Sequence, residues 1–185
     1  MAIRESALNL SPVIRSLSAD EIRERIDGLS AILVDCVAGG ASVGFMAPLG
    51  SDRAQAYWRG IALSVAAGER ILIAADIDGE AQPAGTVQIV LDQPENQPHR
   101  GDLAKLLVHR RARNRGLGRA LVETAENMAR AAGKTLLVLD TAGSDAERLY
   151  RRLGWIFAGH VPGYALLPDG RPWGTSIFYK ELAAQ

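Results

Sequence analysis

Cysteine is nearly absent: Cys36 stands alone in 185 residues, so the chain cannot close an internal disulfide. The compartment expected on that ground is the cytoplasm. Long hydrophobic runs are missing too. Nowhere do about 18 apolar residues stand together, and no basic stretch followed by an apolar core opens the chain. The expectation is a protein that neither spans a membrane nor is secreted. No charge sign dominates, because Lys plus Arg and Asp plus Glu number 21 each. No global field therefore draws the chain to nucleic acid or to a lipid surface. Of the histidines, neither His109 nor His160 has a second histidine or a carboxylate at metal-ligand spacing, so no metal site is expected. Repeats and low-complexity tracts are absent as well. What is present is ordinary for a soluble globular protein, with 48% apolar and 23% charged residues. The length fits one domain with a single core.

The elements follow from periodicity. Ser18 with Glu21 forms a capping-box pattern, and Ile22, Ile26, Leu29 and Leu33 then recur at helical spacing toward Gly39-Gly40. A loop from Gly39 to Gly50 leads to a second helix, Asp52 to Ala67, ended by Gly68. From Arg70 the period changes. Ile71 to Ala75 reads as a short strand and Asp78-Gly79 as a turn. Thr86 to Leu91 alternates as a strand with one wet face would, and Asp92 to Arg100 is a loop. Leu103 to Val108 is the next strand. A third helix carries Leu117, Leu121, Ala125 and Met128 on one face. Thr135 to Leu139 reads as a buried central strand. A fourth helix covers Asp145 to Leu153, and strands near Trp155 to Val161 and Ser176 to Glu181 follow. Two helices, a β-meander, then βαβα and final strands make a mixed α/β sheet in one domain.

The chemistry concentrates in Leu103 to Gly118, a strand leading through His109-Arg110-Arg111-Ala112-Arg113-Asn114-Arg115 into Gly116-Leu117-Gly118 and a helix. Glycines there let backbone amides approach a ligand, and the helix start adds unpaired N–H groups and a positive dipole end. Such a place binds a pyrophosphate well. Arg113, Arg115 and Arg119 add positive charge. A dinucleotide fingerprint is the first rival, since Gly116-Leu117-Gly118 begins G-x-G-x-x-G and Asp140 lies further on. It fails because Leu121 occupies the third glycine position. It also fails because seven residues separate Val108 from Gly116, where that fold needs a tight turn. A nucleic-acid patch is the second rival, but no aromatics interleave the arginines. Ala132-Gly133-Lys134-Thr135 looks like the end of a P-loop. However, Met128 stands where its first glycine belongs and a strand follows, so it reads as a helix C-cap. A coenzyme A loop suits every residue of the segment.

Here the chain resembles the GNAT superfamily of N-acetyltransferases, whose pyrophosphate signature Q/R-x-x-G-x-G/A reads Arg113-Asn114-Arg115-Gly116-Leu117-Gly118. The preceding strand, the following helix and Tyr150-Arg151-Arg152-Leu153-Gly154-Trp155 sit where that superfamily places them, over about Ala84 to Ala158. A further likeness, from Gly39 to Leu182, is to its tabtoxin-resistance branch, enzymes that acetylate an amino-acid-like β-lactam toxin. It rests on Gly39 to Met46, Leu139-Asp140-Thr141, Pro162-Gly163-Tyr164 and Pro168-Asp169-Gly170. One departure stands out: Gly143 occupies a position where many GNAT proteins carry a coenzyme-contacting Asn.

The resemblance implies one GNAT domain over residues 1–185. Its central sheet would be mostly antiparallel, with a parallel, splayed central strand pair and about four flanking helices. It implies acetyl-CoA as cosubstrate without a metal, a small-molecule amine as acceptor, and a monomer or homodimer. Coenzyme contacts would come from Leu106, Leu107 and Val108 along the pantetheine arm. Arg113, Asn114, Arg115, Gly116, Leu117, Gly118 and Arg119 would contact the pyrophosphate. Asp140 is the candidate base, its residue-level alternative being an N-cap or turn aspartate. Tyr150 is the candidate acid for the coenzyme thiolate. On its helix Ala146, Leu149 and Leu153 form the expected buried face, so Tyr150 would lie at the edge, and its alternative is a boundary tyrosine held by packing. Ser42, Phe45, Met46, Tyr164 and Asp169 are candidate substrate contacts, against loop plugging and turn chemistry. Trp58, with Ile61 and Val65, reads as core, and Cys36 as a small buried hydrophobe. Two other functions fit the same motif: acetylation of a protein N-terminus or lysine, and non-catalytic acyl-CoA binding.

Overall fold

A computed structural model of the chain describes residues 12–77 and 82–183. Its elements run β1 (Val13–Leu17), α1 (Ala19–Glu24), α2 (Ile26–Ala38), α3 (Ser51–Ala66), β2 (Arg70–Asp76), β3 (Gly85–Val90) and β4 (Arg100–Val108). There follow α4 (Leu117–Ala131), β5 (Leu136–Thr141), α5 (Ser144–Arg152), β6 (Ile156–Leu166) and β7 (Pro172–Glu181). The strands form one seven-stranded sheet in the order β1-β2-β3-β4-β5-β7-β6. Every neighbouring pair is antiparallel except β4–β5.

Both faces of the sheet are covered at its central strands, though β6 is exposed along most of its length, and β2 shows why it reads as a continuous apolar run. Successive side chains point to opposite faces. Leu72 and Ala74 enter a core shared with α1, α2 and α3, around Leu29, Leu33 and Trp58. Ile73 and Ala75 enter a second core with Val87, Ile89, Leu103, Leu137 and Phe178, closed by Leu117, Leu121 and Ala125 of α4. The Ser18 capping box forms in both directions, an arrangement worth about 1 kcal/mol. Trp58 is fully buried, as its spacing implied. The Ala132–Thr135 run caps α4, with Gly133 N–H donating to Arg130 O (2.9 Å) and Lys134 N–H to Ala129 O (3.0 Å). Among the described residues, no helix is long and apolar enough to cross a membrane.

Several expectations are corrected. The first helical stretch breaks at Arg25, whose φ of −101° and ψ of 16° leave the helical region, so there are five α-helices among the described residues. β1 was not anticipated; it is a mostly exposed edge strand without clean alternation. β3 has no wet face. Gln88 is buried against α3, where it donates to the Tyr57 hydroxyl (3.0 Å) and accepts from Arg70 (2.8 Å). A satisfied buried amide looks the same in sequence as a solvated one. β6 runs past Pro162 and Tyr164, so the loop between the last strands is only the turn carrying Pro168 and Gly170. The Asp78-Gly79 turn lies outside the described residues.

Candidate active site

β4 and β5 pair only through Arg100–Asp102 against Leu136–Val138, and then part. The cause sits on the other edge of β4. Between the pairs Thr86↔Leu107 and Gln88↔Ala104, Val87 alone faces Lys105 and Leu106, a β-bulge, and Lys105 takes φ +52°. A bulge bends the strand that carries it. Past Asp102 the β5-facing backbone of β4 lacks a strand partner. The wedge between the strands is a cavity of about 300 Å³, walled by Leu103–Leu106 on one side and Asp140–Ala142 on the other.

At the end of β4 lies the glycine-rich loop. Asp35 of α2 anchors its start, accepting from Arg110 N (2.8 Å) and Nε (2.9 Å) with His109 Nδ1 at 3.4 Å. Burial acts to raise the Asp35 pKa, but the two Arg110 hydrogen bonds and the charges of His109 and Arg110 outweigh it and lower it. Asn114 and Gly116 both take left-handed backbone, at φ +62° and +78°. Gly116 is the N-cap of α4 with no side chain capping it. Among the described residues, no backbone N–H from Asn114 to Arg119 finds a protein acceptor. A Cβ built on Gly116 would meet nothing within 4 Å, so the backbone there is open to close approach. Unpaired amides at the positive end of a helix suit a pyrophosphate. Arg113, Arg115 and Arg119 are all exposed; Arg113 folds back, its Nε donating to Val108 O (3.1 Å), and Arg119 pairs with Glu123 (2.8 Å). Of Leu106, Leu107 and Val108, only Leu106 lines the cavity; Leu107 is in the core and the Val108 carbonyl is engaged by Arg113.

The cavity brings Asp140 and Tyr150 together. Asp140 lies within β5, paired with Ile177, not after the strand, and the N-cap of α5 is Gly143. The capping alternative for Asp140 is thereby overturned. Thr175 Oγ1 donates to Asp140 Oδ2 (3.2 Å). Tyr150 is the buried residue of α5, 4% exposed, while Ala146 and Leu149 are only partly buried. Its expected place at the helix edge is corrected because the ring is drawn in between Trp155 (5.5 Å) and Phe178 (6.1 Å). Burial, and secondarily the Asp140 charge, raise the Tyr150 pKa.

Ser42 and Tyr164 reach the cavity wall, but three other candidate substrate contacts do not. Phe45 packs edge-on against Tyr57 (5.3 Å), on the face of the sheet covered by α1, α2 and α3. Met46 is 39% exposed outside the cavity lining. Asp169 serves its own turn, accepting from Arg171 N (3.1 Å) and Nε (2.8 Å). Sequence reasoning passed over Lys105, Trp173 and Thr175, all in the cavity wall. For Lys105 a signal existed, as it is the one charge inside the apolar run Leu103–Val108. Among the described residues, no group of three His, Cys, Asp or Glu could hold a metal.

The model of the acetyltransferase (GNAT) family matches residues 35–155. An uncharacterized N-acetyltransferase from the hisH-hisA intergenic region of Azospirillum brasilense is 35% identical over 141 residues, covering 75% of this chain and 79% of the relative. An N-acetyltransferase from Staphylococcus aureus Mu50 shares the fold with a TM-score of 0.76 at 16% identity, covering 94% of this chain and 99% of that one. The Salmonella typhimurium protein yncA, solved with its cofactor acetyl-CoA, shares it with a TM-score of 0.73 at 17% identity, over 95% and 96% of the two chains.

Proposed function

The chain belongs to the acetyltransferase (GNAT) family, and from that premise we propose that it acetylates the primary amine of a small, amino-acid-like molecule such as a toxin or antimetabolite. The observation that carries this is the cavity of about 300 Å³ between the parted strands, which is lined by Asp140 and Tyr150 and by Leu103–Leu106 of β4, the strand that leads into the loop of unpaired amides. That volume is at the lower end of small-ligand sites. The equal numbers of acidic and basic residues favour a small acceptor over nucleic acid. The lone thiol, Cys36, buried and in no disulfide, suits a cytoplasmic enzyme, and a monomer or homodimer is the assembly we propose.

In this reading the amides from Asn114 to Arg119 hold the coenzyme pyrophosphate, and the unpaired edge of β4 near Leu106 orients the pantetheine arm. Bound acetyl-CoA supplies the acetyl group as a thioester, whose C–S bond breaks as the new C–N bond forms. The chain's own residues handle protons. Thr175 fixes Asp140 Oδ2, which leaves Oδ1 to take the proton of the acceptor ammonium, directly or through water. Burial keeps the Tyr150 hydroxyl protonated, so its oxygen presents a proton to the departing sulfur instead of withdrawing one.

The test is free thiol release from acetyl-CoA with a panel of small amines, amino acids, toxin analogues and peptides. Release that depends on a small amine supports the reading. Release only with peptides moves the acceptor to proteins, and tight coenzyme binding without release under any amine overturns catalysis.

A further inference from the structure

The cavity has a charged group that proton transfer does not use. Lys105 sits at the β4 bulge, three residues before the strand ends, in a left-handed conformation that L side chains rarely adopt. Its side chain lines the cavity and extends toward Gly44, where an added Cβ would stand 3.6 Å from Nζ. Gly44 is itself at φ +86°, so this approach is built from two unusual backbone positions. Among the described residues, Nζ of Lys105 makes no hydrogen bond or ion pair. Asp140 lies on the facing wall, yet no ion pair joins the two within 4.0 Å. Burial lowers the Lys105 pKa most, the Asp140 charge opposes that, and Arg70 adds to the lowering. A half-buried ammonium without a partner is costly, and an anion from outside the chain would relieve it.

Two facing walls of one small cavity therefore carry opposite charges that feel each other across the space but do not meet in an ion pair. Such a pair complements a zwitterion, with the ammonium turned to Asp140 and the anion to Lys105. The pyrophosphate is provided for elsewhere, by the amides beyond the strand. We propose that Lys105 receives a carboxylate of the acceptor, making the cavity selective for molecules that carry both an amine and a carboxylate. The inference rests on the amine-acetylation reading above and narrows its substrate class.

The experiment compares amino acids with their carboxamide counterparts, which keep the amine and lose the negative charge. The readout is the ratio of kcat/KM values, acid over amide, in wild type, Lys105→Met and Lys105→Arg. The expected result is a wild-type ratio of roughly 10 or more, as for a charged hydrogen-bonded pair. It should fall close to 1 in Lys105→Met and be substantially restored in Lys105→Arg. An acid preference that survives in Lys105→Met, or a wild type that does not prefer acids, overturns the proposal. Should no amine release thiol at all, the acetyl-transfer reading falls, and calorimetric binding of the same pairs in the presence of coenzyme A decides the role of Lys105. Acids that bind more tightly than amides in wild type but not in Lys105→Met support it; equal binding overturns it. Coenzyme binding serves as the folding control. If Lys105→Met does not fold, the wild-type ratio and Lys105→Arg decide the matter by the same criteria.

Discussion

Replacing Tyr150 by Phe removes one oxygen and leaves everything else in place. The ring stays between Trp155 and Phe178, at centroid distances of 5.5 and 6.1 Å. The hydroxyl makes no hydrogen bond to the described protein, so its loss leaves no protein donor or acceptor stranded. The stability cost is therefore within about 1 kcal/mol, a melting shift of roughly 2–4 °C for a chain of this size. Activity should behave differently. A positioned general acid contributes about 100-fold to 10,000-fold, which at about 1.4 kcal/mol per decade is about 3–5.5 kcal/mol of barrier. Thiol release measured with saturating acceptor should fall by that factor, while calorimetric coenzyme affinity and the melting temperature hold. Turnover within a few-fold of wild type would refute the assignment. The pH profile gives a second check. Burial and the Asp140 charge raise the Tyr150 pKa, so the donating form persists at every pH below it and is lost only above the ordinary phenol value of about 10. An alkaline limb below pH ~10 that disappears in Tyr150→Phe would contradict this.

Three further outcomes are expected. Gly116→Pro forces φ toward about −65° at a position that needs +78° and removes an amide from the open loop; calorimetry should show coenzyme affinity lowered tenfold or more, and normal affinity in a folded variant would remove the pyrophosphate from this loop. Glu126 is 5% exposed and accepts from Lys180 Nζ (2.7 and 2.8 Å) and Trp155 Nε1 (2.9 Å), so Glu126→Ala leaves the half-buried Lys180 ammonium with only Leu153 O (2.7 Å) and the buried indole N–H without its acceptor. Its cost should be about 3–5 kcal/mol, read as a urea midpoint lower by roughly 1–3 M, with much of it recovered in Glu126→Leu/Lys180→Met. Asp35 has a folded pKa below its ordinary value, so its contribution is complete above the unfolded carboxylate value of about 3.9 and is lost as pH falls through the folded value. The gap in urea midpoint between wild type and Asp35→Asn should therefore be constant near neutrality and close below pH 4.

The elements that sequence reasoning located well are those whose burial is one-sided and regular. Leu117, Leu121 and Ala125 repeat at helical spacing, and α4 lies where they place it. The Ser18 capping box is local chemistry and forms as written. What escaped depends on distant partners. Gln88 reads as solvent-facing because its satisfaction comes from Tyr57 and Arg70, on α3 and β2. Tyr150 reads as an edge residue because Ala146, Leu149 and Leu153 define a helical face, whereas the aromatic slot between Trp155 and Phe178 decides which side turns inward. Asp140 reads as lying beyond a strand because its polarity ends the apolar run, while pairing with β7 extends β5 through Thr141.

The same contrast separates the two halves of the candidate site. The half proposed to bind the pyrophosphate is made of backbone, and backbone that must adopt left-handed angles or admit a ligand closely requires particular residues in a short stretch. Gly116 at φ +78° and the start of α4 therefore leave a contiguous trace that a reader of sequence can find. The acceptor half is made of side chains from five places: the loop of Ser42 and Gly44, the β4 bulge, β5 with Asp140, α5 with Tyr150, and β6–β7 with Tyr164, Trp173 and Thr175. None of these places forms a contiguous stretch of sequence, so no local pattern announces them together. In the reading proposed above, acceptor identity rests on a few wall residues, and Lys105 is the one whose charge, without an ion pair or hydrogen bond among the described residues, makes the sharpest demand on what enters.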